Sequence, residues 1–142
     1  MKLLLFLFVL TSLYANGFER NNSLNVVIDR INKLMWQDNV SVIKIKKTHQ
    51  DAQQYCENLK IGSYLNWRLP TIEEYKTIVN KKNHKNFIIK AFRYNAPDGY
   101  WASKAHWRTL WYYADYMHFI SGTAYYDSRY KEKYVRCVKD IR

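Results

Sequence analysis

At 142 residues and a formal charge of +11, the chain is sized for one domain and is strongly basic. No repeat or Pro-rich linker divides it, which argues against a second domain. Its twelve acids are scattered, whereas a calcium cage needs six to eight oxygen ligands close together. His49, His84, His106 and His118 lack paired metal spacing, which argues against zinc.

Residues 1–15, MKLLLFLFVLTSLYA, carry one positive charge, an apolar run over 3–10 and a small-residue exit. This layout predicts a secretory signal peptide cleaved after Ala15. The apolar run is short for a membrane span, which needs about twenty residues, so no stable span is expected after cleavage; an uncleaved anchor is the alternative. The expected location is periplasmic or secreted. Loss of the segment and its Lys2 leaves 127 residues and a charge of +10. In the cytoplasm such a charge would suggest nucleic acid; outside it, the expected polyanion is an acidic or sulfated glycan, a lipopolysaccharide phosphate or an anionic lipid, and no nucleic-acid partner. Alternatively the charge only keeps an aromatic-rich chain soluble.

Residues 16–24 read as a flexible lead-in, with a minimal glycosylation sequon at Asn21-Asn22-Ser23 and Glu19 two residues before it. Short strands are expected over 25–28, 34–37 and, from alternation, 40–45. Thr48 with Asp51 opens a helix whose inner face holds Ala52, Tyr55, Cys56 and Leu59, with Gly62 as its stop. In Trp67-Arg68-Leu69-Pro70 the proline lacks an amide donor and pushes Leu69 towards an extended backbone. Thr71 and Glu74 then form a capping box that starts a second helix over 72–80. The basic tract 81–85 leads into FIIKAF (87–92), which fits a helix or a strand. Ala96-Pro97-Asp98-Gly99 reads as a turn. Strands are expected over 100–103, 111–116, 118–120, 123–126 and 134–138. The fold class is α+β, two helices early and strands late.

Cys56 and Cys137 form a lone pair, which an oxidising compartment turns into a disulfide; two free thiols are the alternative. On the chain-entropy account such a bond contributes roughly 4 kcal/mol.

LMWQD (34–38), AQQYCENL (52–59), SYLNWRLPTIEEY (63–75), YWAS (100–103), HFISG (118–122) and VRCV (135–138) resemble the Lcl C-terminal domain family. That family is named for the C-terminal domain of a bacterial collagen-like adhesin. The resemblance implies a single C-type-lectin-like domain over 25–142, related to sulfatase-modifying factors, with two helices flanking a mixed, mostly antiparallel sheet. It pairs Cys56 with Cys137 and makes Trp36, Trp67, Arg68, Pro70 and Trp101 scaffold. Ser63 and Asn66 stand where the family usually has Gly and Asp, which affects a local turn. Some adhesin members bind sulfated glycans.

These residues predict an exported, non-catalytic binding module of the bacterial envelope that recognises an acidic glycan or envelope component. One rival is a structural or protein-interaction subunit of an envelope assembly. Another is an enzyme like the sulfatase-modifying factors, disfavoured because the disulfide consumes both cysteines. No nucleophile elbow or carboxylate pair is recognisable, and no cofactor is expected. Binding is assigned to the stretch 100–119, where aromatics alternate with cations. Aromatic faces stack on sugar rings while Lys and Arg engage sulfate, carboxylate or phosphate. Because strand side chains alternate, about half of these aromatics must face the core. Lys104, Trp107 and Arg108 are the expected exposed, ligand-binding subset.

Overall fold

The computed structural model describes residues 17–142; the expected signal segment lies outside the described residues. The chain is α+β, and its strands divide between two sheets. β1 (Phe18–Asn21), β2 (Val26–Asp29) and β3 (Leu34–Gln37) form an antiparallel meander, closed on β3 by β9 (Val138–Asp140). Thus part of the stretch expected as a loose lead-in is an ordered edge strand. The second sheet contains β4 (Lys46–Lys47), β5 (Gly99–Ala105), β6 (Tyr113–His118), β7 (Thr123–Ser128) and β8 (Lys133–Tyr134). Its spatial order is β4-β8-β5-β6-β7, antiparallel except for the β5–β8 pair.

Helix α1 (His49–Asn58) begins where expected, with the Asp51 amide donating to the Thr48 hydroxyl at 3.4 Å. Helix α2 (Ile72–Lys76) has the full capping box. The Glu74 amide donates to Thr71 Oγ1 at 3.1 Å, and the Thr71 amide donates to Glu74 Oε1 at 2.8 Å. Two orphan amides of the first turn are thereby satisfied.

Both helices end earlier than expected. α1 stops at Asn58, because Leu59 is already extended, and Gly62 serves instead in the turn between Ile61 and Tyr64 at φ +58°. α2 stops at Lys76. The Thr77 hydroxyl takes up the Glu74 carbonyl at 2.7 Å, and Val79 leaves to bridge Ile88. Residues 87–92 are therefore neither helix nor strand, but one bridge followed by a turn. The alternating stretch at 40–45 is also not a strand. Val40–Ile43 winds into a 3-10 turn, with Val42 alone buried, because the chain must reverse there between β3 and β4.

The core holds the expected scaffold aromatics. Trp36 and Trp101 are fully buried, and Trp67, Leu69 and Pro70 are buried beside them. Each such indole removes on the order of 150–250 Å² from water, worth several kcal/mol at about 25 cal/mol per Å². Two of the three indole N–H groups are satisfied, Trp67 Nε1 by the Tyr64 carbonyl at 3.1 Å and Trp101 Nε1 by the Lys47 carbonyl at 2.8 Å. Cys56 and Cys137 are joined, with Cα atoms 5.5 Å apart, tying α1 to the segment before β9.

Beside the disulfide lies a buried polar knot with no counterpart in the sequence reading. The Arg136 guanidinium is fully buried and donates to Asp38 Oδ1 at 3.3 Å, to the Gln37 carbonyl at 2.6 Å and to the Tyr94 carbonyl. Asp38, also fully buried, accepts from Arg20 Nε at 2.8 Å and from the Arg93 and Tyr94 amides at 2.8 and 3.1 Å. Gln37 Oε1 accepts the Cys137 amide at 3.0 Å. Burying an unpaired charge is costly, so Arg136 and Asp38 are tolerable only together.

Candidate functional site: an aromatic and cationic shelf

Strand β5 enters the core with Tyr100, Trp101 and Ala102 and leaves it at Ser103, so Lys104 emerges exposed. A register shift between Trp101 and Ala105 re-aims the end of the strand. The chain then turns through Trp107–Thr109, a single 3-10 turn held by Leu110 N–H to Trp107 O at 3.0 Å and Trp111 N–H to His106 O at 3.1 Å. Leu110 and Trp111 both adopt left-handed backbone, φ +53° and +63°, so the strand expected from Trp111 begins only at Tyr113. This reversal throws large side chains outward. Trp107 is 64% exposed, Leu110 89% and Trp111 55%.

The turn is pinned from beneath. The Arg129 amide donates to the Tyr112 carbonyl at 2.9 Å, and its guanidinium donates to the Trp111 carbonyl at 3.3 Å and to His49 Nδ1 at 3.1 Å. With Nδ1 accepting, His49 Nε2 is the donor to the Ala102 carbonyl at 2.8 Å. Burial holds this imidazole below its ordinary pKa and keeps it neutral, against the opposing pull of the Ala102 bond.

Lys104, Trp107 and Arg108, the three residues expected to bind ligand, come together with His106 around a cavity of about 310 Å³. The Arg108 guanidinium lies 5.5 Å from the Trp107 ring centroid. Neither Lys104 nor Arg108 has an ion-pair partner among the described residues. A neighbouring cleft of about 370 Å³ shares Lys104 and is walled by Thr71 and Ile72 on one side and Asp115, Tyr125 and Tyr126 on the other. Between the two, His106 Nε2 meets Asp115 Oδ1 at 2.5 Å.

Sequence reasoning missed Tyr126 and Tyr130, which extend the surface beyond the 100–119 stretch. Tyr130, Tyr112, Tyr113, Tyr126 and His106 form a chain of ring contacts at 5.8, 4.8, 5.4 and 5.7 Å. Tyr126 and Tyr130 are 65% and 76% exposed. The signal was the aromatic run Tyr125-Tyr126, read only as strand, and Tyr130, which fell between the strands expected over 123–126 and 134–138. Conversely, Trp101, in the same aromatic stretch as the shelf, is interior.

Arg68 lies elsewhere. It forms a fork on Glu74 at 2.7 and 2.8 Å and reaches Asp140 at 3.0 and 3.3 Å, locking α2 to β9. The Glu74 carboxyl is held below its ordinary pKa: burial raises it, but bonds from Arg68 and the Thr71 amide outweigh burial. Asp140 is lowered chiefly by its bond from Arg68.

The described residues include no helix long and apolar enough to cross a membrane. They also include no group of three or more His, Cys, Asp or Glu that could hold a metal ion. No curated protein and no solved structure matches this chain. The model of the Lcl C-terminal domain matches residues 25–139, four fifths of the sequence, and the chain belongs to that family.

Proposed function

We propose that this protein is an exported, non-catalytic binding module of the bacterial envelope, periplasmic or secreted, whose shelf recognises an acidic glycan. Membership of an adhesin-derived family supports the general class. One observation carries the ligand chemistry: exposed Trp107 and two cations without acid partners surround one cavity. An indole face suits the C–H face of a sugar ring, and Lys104 and Arg108 suit its sulfate or carboxylate. The capture of both cysteines in one disulfide leaves no thiol for oxidase chemistry like that of sulfatase-modifying factors. A C-type-lectin-like arrangement is part of this reading, supported by the first and last strands of the described chain sharing one sheet.

A glycan array at two salt concentrations tests the proposal. Binding to sulfated or uronic-acid glycans that weakens with salt is the expected result. Blank spots together with one co-purifying envelope protein would favour the rival, an interaction subunit. Leu110, 89% exposed at the tip of the shelf, is the feature that favours a protein partner.

A further inference from the structure

We infer that Asn21 is an acceptor for N-linked glycosylation in the folded protein, taking an oligosaccharide from a polyprenyl-diphosphate donor. The inference rests on the exported reading, because such donors are used outside the cytoplasm. The chain offers two minimal sequons, Asn21-Asn22-Ser23 and Asn39-Val40-Ser41. They differ in the residue two before the asparagine and in what holds its side-chain oxygen.

Asn21 ends β1, which among the described residues pairs only with β2. The chain then reverses through an exposed turn containing Asn22 and Ser23. The Asn21 side-chain oxygen accepts three donors: the Ser23 hydroxyl at 2.8 Å, the Ser23 amide at 3.1 Å and the Leu24 amide at 3.1 Å. Its Nδ2 group has no partner among the described residues, so the nitrogen that must react is the free end of the side chain. Two residues earlier, Glu19 lies on the same side of the strand, where an acid-requiring transferase would read it. Glu19 is partly exposed, with its Oε2 paired to Arg30 at 2.7 Å.

Asn39, half-buried like Asn21, lacks the preceding acid and the turn donors on its side-chain oxygen. Gln37, not an acid, stands two residues before it and is fully buried. The Asn39 oxygen is taken by Gln37 Nε2 at 3.0 Å, and its backbone opens the 3-10 turn beside the Asp38 knot.

In the transfer, a bond forms between the sugar's anomeric carbon and Asn21 Nδ2. The bond from that carbon to the diphosphate oxygen breaks, and polyprenyl diphosphate leaves with its electron pair. The nitrogen loses one proton to a carboxylate of the transferase. As that proton leaves, charge collects on the amide oxygen, where the Ser23 and Leu24 donors already stand.

The test uses folded, disulfide-intact protein, a polyprenyl-diphosphate-linked oligosaccharide and an acid-requiring bacterial oligosaccharyltransferase shown to be active on a standard acceptor. Because the reaction is run on purified protein, its result is independent of export and of glycan recognition by the shelf. The expected result is a gain of one oligosaccharide mass on the tryptic peptide 21–30. It should vanish in Asn21→Gln and Ser23→Ala and fall at least tenfold in Glu19→Gln, with melting temperatures unchanged. The peptide containing Asn39 should stay unmodified. Modification of a synthetic 17–25 peptide but not of the folded protein would overturn the inference, because the turn would then shield the amide. So would modification at Asn39 alone, or none on either substrate.

Discussion

Two regions of this protein use the same residue types to opposite ends. In the knot behind β3 and β9, Arg136 is fully buried over Phe92 and Tyr100, with its guanidinium 5.0 and 5.7 Å from their centroids. On the shelf, Arg108 lies over Trp107 at 5.5 Å with both partners in solvent. The ring contact is similar, but the surroundings differ. Arg136 has Asp38 and two backbone carbonyls to replace water, whereas Arg108 retains its water and its capacity to meet an outside anion. A cation near an aromatic is therefore not by itself a binding signature; what distinguishes Arg108 is that no acid among the described residues pairs with it.

The comparison breaks most visibly at Asp38. Asp38→Ala strips the counter-charge from Arg136 and Arg20 together and should cost about 3–5 kcal/mol of stability, measured by urea unfolding. A loss below about 1 kcal/mol would mean that water reaches the knot and that the two regions are less different than their burial indicates. Next comes the disulfide. Cys56→Ser should lower stability by about 2–5 kcal/mol without altering glycan binding by molecules that remain folded. Alkylation of two thiols in native exported protein would contradict the bond.

On the shelf the ordering should reverse, with binding affected and stability spared. Trp107→Ala should weaken binding of a heparin-like glycan by roughly 2 kcal/mol, about thirtyfold in Kd, if the indole is a desolvated anchor. Lys104→Ala should cost on the order of 0.5–1 kcal/mol, and of the two only this variant should flatten the salt dependence. If both variants bind like the parent protein, the ligand lies elsewhere.

Arg68 sharpens the contrast at the small end. Arg68→Ala should destabilise by about 1–2 kcal/mol, because its fork is only half shielded from solvent, and should leave ligand affinity intact. Glu74 and Asp140 are held below their ordinary pKa in the native state. Their contribution is thus present above the usual carboxylate range and lost as pH falls through the lowered native values. Removing Arg68 should shrink that acid-side loss, leaving the part due to the Thr71 amide on Glu74, so thermal midpoints of variant and parent should converge at low pH. An unchanged midpoint at neutral pH with lost binding would place Arg68 in the site.

Legibility in the sequence tracked the range of the interactions. Both helix starts were readable because Thr48–Asp51 and Thr71–Glu74 act over three residues. The strand at 34–37 was readable because it is bounded by turn residues. The 40–45 stretch misled because alternation describes side chains, while the reversal there is set by backbone bonds such as Val42 N–H to Asn39 O. The knot was illegible for another reason: Arg136 and Asp38 are 98 residues apart, and no local pattern joins them. Both residues stood inside motifs that had been noticed, an acid after Trp36-Gln37 and an arginine before Cys137. A charge embedded in a run of core residues was the available signal. The near half of the shelf was read from aromatic and cationic alternation, but Tyr126 and Tyr130 arrive through the pairing of β7 with β6, which composition does not reveal.

The disulfide also determines the covalent connectivity of the molecule. Cys56 and Cys137 bracket 80 intervening residues, among them exposed Lys81, Lys82 and Lys85 and the whole shelf. A protease that cuts once at any of those lysines leaves two polypeptides but a single molecule, with the shelf still attached to the knot. Such a nicked protein migrates as one band until a reductant is added, and a cut in the basic loop is by itself insufficient to shed the shelf.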